Sequence, residues 1–390
     1  MDLCSPIIHA SIKNSYKSRM ADTETLIDTT AKPTQVGLTA EGWLTDSWYL
    51  ACVSAEVKPG QQIRRIVLGQ PLVVARTAGG EVFALRDICP HRLVPLSAGR
   101  QVKTEGEATL ECPYHGWRFG ADGVCRHMPS LTGSEPYDPG KVKVRRYPVH
   151  EANGAVFVFV SDNPRFDGTP DVPVPEFGPL PETPKFIIED VFNAHMDDAV
   201  VGLMDPAHVP FVHNQWWWRP PSVGLKLKEK PFIPADRGWA IDRHKPSSNS
   251  KLYKWVFGDD VETEIRFQLP GFRWEIISNE KARLLTLTCL TPEAPKRTRI
   301  TQLTWWTGAP LLNLAIPVAK PMARKFLRQD GDMVDLQNLG MEHQKAMMWI
   351  DDIDVQAKWY QMLKREWAAS RTEDRAFVNK IKPVTLRWRS

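Results

Sequence analysis

Short apolar runs separated by turns dominate the chain between Trp43 and Val160. Each run is only a few residues long and is bounded by Gly, Pro or Asp, a pattern that favours β-strands over helices. We therefore predict that residues 41–162 form a compact all-β domain. The runs that carry this prediction are Ile63–Leu68, Leu72–Ala75, Val82–Leu85, Val142–Val144 and Val156–Val160.

A different pattern fills the second half of the chain. Residues 189–204 and 319–369 repeat apolar side chains at every third or fourth position, which predicts helices. Between them, residues 225–308 return to strand-like runs. We therefore predict that residues 185–390 form an α+β domain, an antiparallel sheet with helices packed against it.

Two stretches show no periodic pattern. Residues 163–184 contain seven prolines, a density that resists regular structure and predicts a linker between the domains. Residues 1–40 are polar and are predicted to be a flexible N-terminal tail. Both Met1 and Met20 are open as the native start.

Composition and charge exclude several classes of protein. The hydrophobic fraction of 42% and the charged fraction of 25% are those of a soluble globular protein. The net charge of +4 is too small, and Lys and Arg are too scattered, for a nucleic-acid binder. No apolar run approaches the roughly 18–20 residues that span a bilayer, and the N-terminus lacks the apolar core of a secretory signal.

The six cysteines do not form a disulfide framework, because only two of them belong to a motif. The other four are predicted to be free or buried thiols, which favours a reducing, cytoplasmic location. These four are Cys4, Cys52, Cys125 and Cys289.

Two cysteine–histidine pairs predict an iron–sulfur cluster. Cys89 and His91 form C-x-H, and Cys112 and His115 form C-x-x-H. Two turns that each offer one sulfur and one nitrogen suit a [2Fe–2S] cluster with two thiolates on one iron and two imidazoles on the other. A zinc site made by the same four residues is the alternative, although zinc sites more often pair cysteine with cysteine.

The segments CPHR and CPYHGWRF, beginning at Cys89 and Cys112, resemble the Rieske domain of the Rieske non-haem iron oxygenases. Arg92 and Trp117 stand where the cytochrome bc-type Rieske proteins carry extra disulfide cysteines. One departure is the long separation of His91 from Cys112. We predict that the excess lies in a polar surface loop over Gln101–Ala108.

The resemblance implies a terminal oxygenase (alpha) component with a helix-grip-like catalytic domain and a mononuclear Fe(II) site. Asp205, His208 and His213 form D-x₂-H-x₄-H. On an ideal helix the two histidines would point about 140° apart, but Pro206 and Pro210 break the helix and allow both imidazoles to face one metal. Without the resemblance, two packed histidines would remain the alternative.

Comparison with the family places the third ligand, a carboxylate, in an acidic helix far downstream. Asp330 fits as the ligand and Asp335 as the acid that follows five residues later, with Asp332 as the fallback ligand. Such a facial triad leaves positions on the metal open for O₂ and substrate.

The resemblance also implies an assembly. In the family, the acid at the position of Asp205 links a histidine of the mononuclear site to a cluster histidine of the neighbouring subunit in a ring-shaped homotrimer. Asp205 would therefore bond His208 of its own chain and His115 or His91 of the next. Electrons would cross between subunits by this route.

The function implied is oxygenation of an aromatic or other hydrophobic organic substrate. No nucleotide-binding G-x-G-x-x-G motif follows a strand, so a separate NAD(P)H-dependent reductase, with or without a ferredoxin, must supply electrons. Hydroxylation or demethylation is favoured because the chain is short, like that of the single-subunit relatives. Ring cis-dihydroxylation and a pure Rieske electron carrier remain the alternatives.

The substrate pocket is the least defined part of the prediction. Gly202 and Val209 are candidate substrate contacts by their proximity to the motif alone. Trp216–Trp218 is interpreted as part of the core or of a subunit interface, in preference to the wall of the substrate pocket. His195 is interpreted as an ordinary structural residue.

Overall fold

The computed structural model describes residues 36–134, 137–213, 224–245, 258, 260–344 and 346–390. Residues 1–35 of the predicted tail therefore lie outside the described residues, as does the run Trp216–Trp218. No helix among the described residues is both long and apolar enough to cross a bilayer.

The first part of the described chain is all β, as predicted. Three antiparallel sheets are formed, in the strand orders β1-β11-β10, β2-β3-β4-β9 and β5-β6-β7-β8. The strands are β1 Ser47–Val53, β2 Gln62–Val67, β3 Gln70–Arg76, β4 Val82–Arg86, β5 Arg100–Thr104, β6 Glu107–Glu111, β7 Arg118–Gly120, β8 Cys125–His127, β9 Arg146–Tyr147, β10 Val149–Ala152 and β11 Ala155–Val160.

Two sequence predictions in this region were wrong. Gln101–Ala108 is not a loop, because β5 and β6 form a hairpin whose turn is Glu105–Gly106. Both turn residues have positive φ, 52° and 90°, the left-handed geometry that tight hairpin turns require. Val142–Val144 is not a strand and contributes only an isolated bridge between Lys143 and Val124.

The second part is α+β, which confirms the predicted fold class. One eight-stranded antiparallel sheet has the order β12-β18-β17-β16-β15-β14-β13-β19, and the described residues add four helices. The strands are β12 Phe186–Phe192, β13 Leu227–Ala235, β14 Gly238–His244, β15 Glu262–Gln268, β16 Phe272–Ser278, β17 Arg283–Ala294, β18 Arg297–Thr307 and β19 Val384–Arg389. The helices are α1 Met196–Met204, α2 Val209–Val212, α3 Leu312–Met341 and α4 Val355–Thr372.

The predicted helix over 189–204 begins too early. Residues 189–192 belong to β12, where Ile188 and Phe192 are buried and the intervening side chains are less so. The helix begins only after His195, whose Nδ1 accepts the N–H of Asp197 and caps the first turn. The predicted helix over 319–369 is in fact two helices, α3 and α4, separated by residues 342–354.

One hydrophobic core extends across both parts of the chain. The sheet β1-β11-β10 packs against β17, and the Thr291 hydroxyl donates to the Leu50 carbonyl across this contact (2.9 Å). Residues 163–184 contain no helix or strand, but Val172 and Phe177 are buried and the Trp48 indole N–H donates to the Val172 carbonyl (2.8 Å). The proline-rich connection is therefore packed against the domains it joins.

On the other face of the large sheet, α3 lies across β12 and contacts α1. A β-carbon at Gly202 of α1 would lie 2.8 Å from Val334 of α3, so glycine is needed where the two helices approach. This packing brings the C-terminal end of α1 next to the middle of α3.

Candidate functional site

The two cysteine–histidine pairs lie on matching turns. Cys89 follows β4, Cys112 follows β6, and both are buried. The Leu93 N–H donates to the Cys89 carbonyl (2.9 Å), and the Gly116 N–H donates to the Cys112 carbonyl (3.0 Å). Leu93 and Gly116 both have positive φ, 60° and 70°. The turns are therefore structural equivalents, each presenting one sulfur and one imidazole.

The two imidazoles lie side by side at the surface. The ring centroids of His91 and His115 are 4.4 Å apart, and both residues are exposed. Trp117 stacks on His91 at 4.6 Å with an interplanar angle of 3°, and Tyr114 lies against His115 at 4.0 Å. The sulfur side of this site thus faces the protein interior and the histidine side faces outward.

Electrostatics at this site suit ligation by neutral imidazole. Burial, followed by the charges of His115 and Arg92, lowers the pKa of His91, so its ring is neutral near pH 7. Burial, partly offset by backbone hydrogen bonds and reinforced by the neighbouring Cys112 thiol, raises the pKa of Cys89 to about 12. A metal must therefore displace the thiol proton to bind, as thiolate ligation always requires.

The second motif is built where α1 ends. Asp205 is the C-terminal cap of α1, and its carboxylate accepts the N–H of Ala207 (2.7 Å), which turns the chain sharply. His208 and His213 then flank the single-turn helix α2 at its two ends. The helix is interrupted as the prolines of the motif predict, and both imidazoles turn toward α3.

Three side chains converge here, as the sequence predicted for the second iron site. His208 Nε2 lies 3.3 Å from His213 Nε2 and 3.3 Å from an Asp330 carboxylate oxygen, and that oxygen lies 3.0 Å from His213 Nε2. His213 and Asp330 are buried, whereas 18% of the His208 side chain is exposed. Among the described residues, this is the one group of three or more His, Cys, Asp and Glu side chains whose possible ligand atoms all lie within 4.8 Å of one another.

The charges of the three groups are coupled. Burial lowers the pKa of His208, but the carboxylates of Asp330 and Asp205 outweigh it and raise that pKa to about 9. Burial raises the pKa of Asp330, but the hydrogen bonds and charges of His208 and His213 have a larger effect and hold this pKa below its usual range. Without metal, the site therefore pairs a carboxylate with a protonated His208, and loss of that proton leaves a donor set suited to a divalent cation.

The three acidic residues Asp330, Asp332 and Asp335 of α3 have two different roles. Asp330 faces the two histidines, whereas the Asp332 side chain is 58% exposed and pairs with Arg328 (2.8 Å). Asp335 pairs with Arg328 as well (2.6 Å) and accepts the backbone N–H of Asn193 (3.0 Å). The fallback ligand Asp332 thus lies away from the site, and Asp335 joins α3 to the end of β12.

Arg328 completes this junction. It also pairs with Asp190 (3.2 Å), donates to the Val191 carbonyl (3.1 Å) and lies over the Phe192 ring (5.7 Å). A β-carbon at Gly331 would lie 2.7 Å from that ring. These contacts fix the rotation of α3 about its axis and so direct Asp330 toward the histidines.

Comparison with known proteins identifies the N-terminal domain. A family profile described as "Rieske [2Fe-2S] domain" matches residues 47–148. This chain contains a Rieske domain. The match covers both cysteine–histidine turns and confirms the resemblance predicted from the sequence. A Rieske domain implies a [2Fe–2S] cluster, for which Cys89, His91, Cys112 and His115 remain the predicted ligands.

Several relatives of the Rieske-domain chain are named as oxygenases or oxygenase components. It is 32% identical over 225 residues to the 4beta-methylsterol monooxygenase of Methylococcus capsulatus, covering 57% of this chain and 59% of that protein. It is 33% identical over 176 residues to the oxygenase component of dicamba O-demethylase of Stenotrophomonas maltophilia, covering 44% and 48%. The aligned part thus spans about half to three fifths of these relatives.

The fold is that of a solved oxygenase. The crystal structure of dicamba monooxygenase with non-haem iron and dicamba superimposes with a TM-score of 0.59, at 20% identity, over 84% of this chain and 98% of that one. At this level of identity the likeness concerns the fold. It extends through both parts of the chain, beyond the Rieske domain itself.

The residues present fit the two iron centres that such oxygenases imply. Two buried thiols and two outward imidazoles are the Rieske donor set. At the second site, neighbouring ligands of an octahedral metal with bonds of about 2.1 Å lie about 3.0 Å apart. The observed spacings between His208, His213 and Asp330 are 3.0–3.3 Å. They match one face of such an octahedron.

Two residues near this face were missed by the sequence analysis. Gln329 Oε1 lies 3.0 Å from His213 Nδ1, and the Phe326 ring stacks on His213 at 3.6 Å with an interplanar angle of 15°. Phe326 lies one turn of helix before Asp330 and Gln329 lies immediately before it, and this proximity is the signal that could have revealed them once Asp330 was chosen.

The remaining sequence candidates have mixed outcomes. Gly202 faces Val334, which gives a packing reason for the glycine, and its role as a substrate contact stays a prediction. Val209 is partly buried next to His208 and stays a prediction too. His195 is structural: beyond capping α1, its Nε2 bonds the Glu41 carbonyl (3.0 Å) and its ring stacks on Trp43.

Metal binding is expected to release a proton at neutral pH. Because the folded-state pKa of His208 is about 9, above the ordinary value near 6.5, the metal-free protein holds this proton at pH 7. The stabilisation it gives is full below about pH 6.5 and is lost as pH rises through about 9. Fe(II) binding at pH 7 should therefore release about one proton. Anaerobic calorimetry in two buffers of different protonation enthalpy measures the number of protons released, because the buffer takes up each released proton. Equal binding heats in the two buffers would contradict the expectation.

Proposed function

We propose that this chain is the terminal oxygenase component of a multicomponent Rieske oxygenase. It would use electrons from a separate NAD(P)H-dependent reductase, with or without a ferredoxin, to oxygenate an aromatic or other hydrophobic organic substrate. The observation that carries the proposal is the convergence of His208, His213 and Asp330 in a chain that also contains a Rieske domain.

The donor sets divide the chemistry between two centres. A Rieske cluster supplies one-electron transfer, and an iron held by two histidines and a carboxylate supplies O₂ activation. Cys89 and Cys112 would hold the cluster from the interior, and the outward edges of His91 and His115 give electrons a path to the surface. His208, His213 and Asp330 would occupy one face of the second metal and leave the opposite face open to O₂ and substrate.

Asp205 is proposed to connect the centres through a neighbouring subunit. One of its oxygens caps the turn at Ala207, and the other lies 3.7 Å from His208 Nδ1, a buried atom with no hydrogen-bond partner. A third of the Asp205 side chain is exposed, so it is open to a second partner. Its carboxylate would orient His208 on one side and accept a bond from His91 or His115 of the next chain on the other.

A homotrimer arranged head to tail is part of this proposal. Large apolar side chains are exposed at both centres: Leu93 (70%) and Tyr114 (61%) beside the cluster, and Phe211 (67%) on α2. Burying these side chains against another chain would remove apolar surface from water. Pairing the cluster tip of one chain with the α2 region of the next would cover both patches.

Substitution of His208 by alanine tests the proposed function. We expect the variant to keep its cluster and to accept electrons from the reductase at the normal rate, because His208 is remote in sequence from both cysteine–histidine turns. Product formation coupled to O₂ consumption should fall to background. A wild-type protein that is reduced and reoxidised without ever forming product from a panel of aromatic and other hydrophobic substrates would favour the electron carrier instead.

A further inference from the structure

One helix surrounds the His213 imidazole on three sides. Phe326, Gln329 and Asp330 are spaced i, i+3 and i+4 along α3, which places them on one face of the helix. All three contact His213, although more than a hundred residues separate them from it in the chain.

Each contact constrains a different part of the ring. Phe326 stacks on its face at 3.6 Å, Gln329 Oε1 accepts the Nδ1–H at 3.0 Å, and the Asp330 carboxylate faces Nε2 at 3.0 Å. The side chain of His213 is only 2% exposed. Its ring therefore has both nitrogens engaged and one face covered.

His208 is held less firmly. Its Nδ1 lies 3.7 Å from the nearest Asp205 oxygen, beyond hydrogen-bond distance, and its side chain is 18% exposed. The two histidines of the site thus differ: His213 is fixed by one helix, whereas His208 depends on Asp205 at the end of another.

We propose that Gln329 and Phe326 are positioning residues that hold His213 in the Nδ1–H tautomer and in one orientation, with Nε2 directed at the metal. Because Gln329 offers an acceptor to Nδ1, the proton stays on that nitrogen and the lone pair of Nε2 is free for ligation. This inference rests on the proposed function, since it assumes a metal bound by His208, His213 and Asp330.

The proposal predicts a loss of metal affinity when the acceptor is removed. Partners that orient a ligating histidine typically contribute about 10–100-fold to metal affinity. Gln329→Leu should therefore weaken Fe(II) binding by about that factor. Gln329→Glu keeps an oxygen within reach of Nδ1 and should bind Fe(II) within about threefold of wild type.

Phe326→Leu provides a second variant that does not alter the hydrogen bond. It keeps an apolar side chain and removes the stacked ring, so Fe(II) binding should weaken by about two- to tenfold. Gln337→Leu is the matched control, because Gln337 lies on the same helix and its amide donates to the sulfurs of Met341 and Met347 instead of to the metal site. Its affinity should equal that of wild type.

The experiment is an anaerobic calorimetric titration. Fe(II) is added to full-length protein that retains its cluster and lacks the second metal, and the dissociation constant is obtained from the heats. The EPR spectrum of the reduced cluster and the melting temperature report whether each variant is folded. Weakening in Gln329→Leu with retention in Gln329→Glu supports the proposal. Equal affinity of Gln329→Leu and wild type overturns it. Absence of Fe(II) binding by wild type would instead reject the proposed function on which it rests.

Discussion

Replacing Asp330 by alanine is expected to abolish product formation and leave the Rieske cluster intact. Among the described residues, Asp330 is the carboxylate that lies within 3.3 Å of both His208 and His213. Without it the site keeps two ligands of three. The loss of metal affinity should therefore exceed the roughly 10–100-fold that follows removal of a residue that only orients a ligand. Iron analysis should show the second metal missing, while the cluster absorption and EPR signals are unchanged.

Asp332→Ala is the matched control for this prediction. The substitution is the same and lies two residues further along α3, but the Asp332 side chain is 58% exposed and bonds Arg328 instead of the histidines. We expect full metal content and nearly normal activity. If Asp332→Ala lost the metal and Asp330→Ala kept it, the ligand would be Asp332 and the geometry described for α3 would be wrong.

The second large effect is expected for Asp205→Ala. Asp205 is the acid closest to His208 Nδ1, at 3.7 Å, and it is exposed enough to meet a neighbouring chain. With Fe(II) saturating, product formation should fall by about 10–100-fold, while the rate of cluster reduction by the reductase stays near normal. Stopped-flow reduction of the cluster and single-turnover product analysis separate the two steps.

Asp198→Asn is the control on the same helix. Burial raises the pKa of Asp198, and its carboxylate lies at the N-terminal end of α1, away from His208. Its substitution should leave the single-turnover yield unchanged. A yield that falls equally in both variants would mean that Asp205 acts only through the stability of α1.

Mixed assemblies test the path between subunits directly. A Cys112→Ser chain lacks a cluster ligand, and an Asp330→Ala chain lacks a ligand of the second metal, so each alone should be inactive. Refolded or co-expressed mixtures should regain activity, because the cluster of one chain would serve the iron of the next. Mixtures as inactive as the separate variants would place electron transfer within a single chain.

The sequence sufficed where chemistry is local. Cys89 with His91, and Cys112 with His115, lie within three residues of each other, so spacing alone identified both turns. Short apolar runs bounded by turns also predicted the all-β domain, and helical spacing combined with strand-like runs predicted the α+β domain, because these patterns arise within each element's own residues. The interrupted helix between Asp205 and His213 followed from prolines inside the motif itself.

The sequence was insufficient where the contact depends on packing. Gln329 and Phe326 acquire a function only because α3 lies against His213, and no local pattern distinguishes them from other residues of a helix. The early residues of the predicted helix over 189–204 pair instead with β18, since the sheet overrides weak helical spacing. The glycine at position 202 is likewise explained by its close approach to Val334, which lies far along the chain.

Iron analysis combined with EPR of the reduced protein would show whether both iron centres are present. We expect about three iron atoms per chain, two in the cluster and one at His208, His213 and Asp330. We also expect a reduced signal with the low average g value of a histidine-ligated cluster. A signal typical of four-cysteine ligation, or zinc in place of iron at the cysteine–histidine turns, would contradict this expectation.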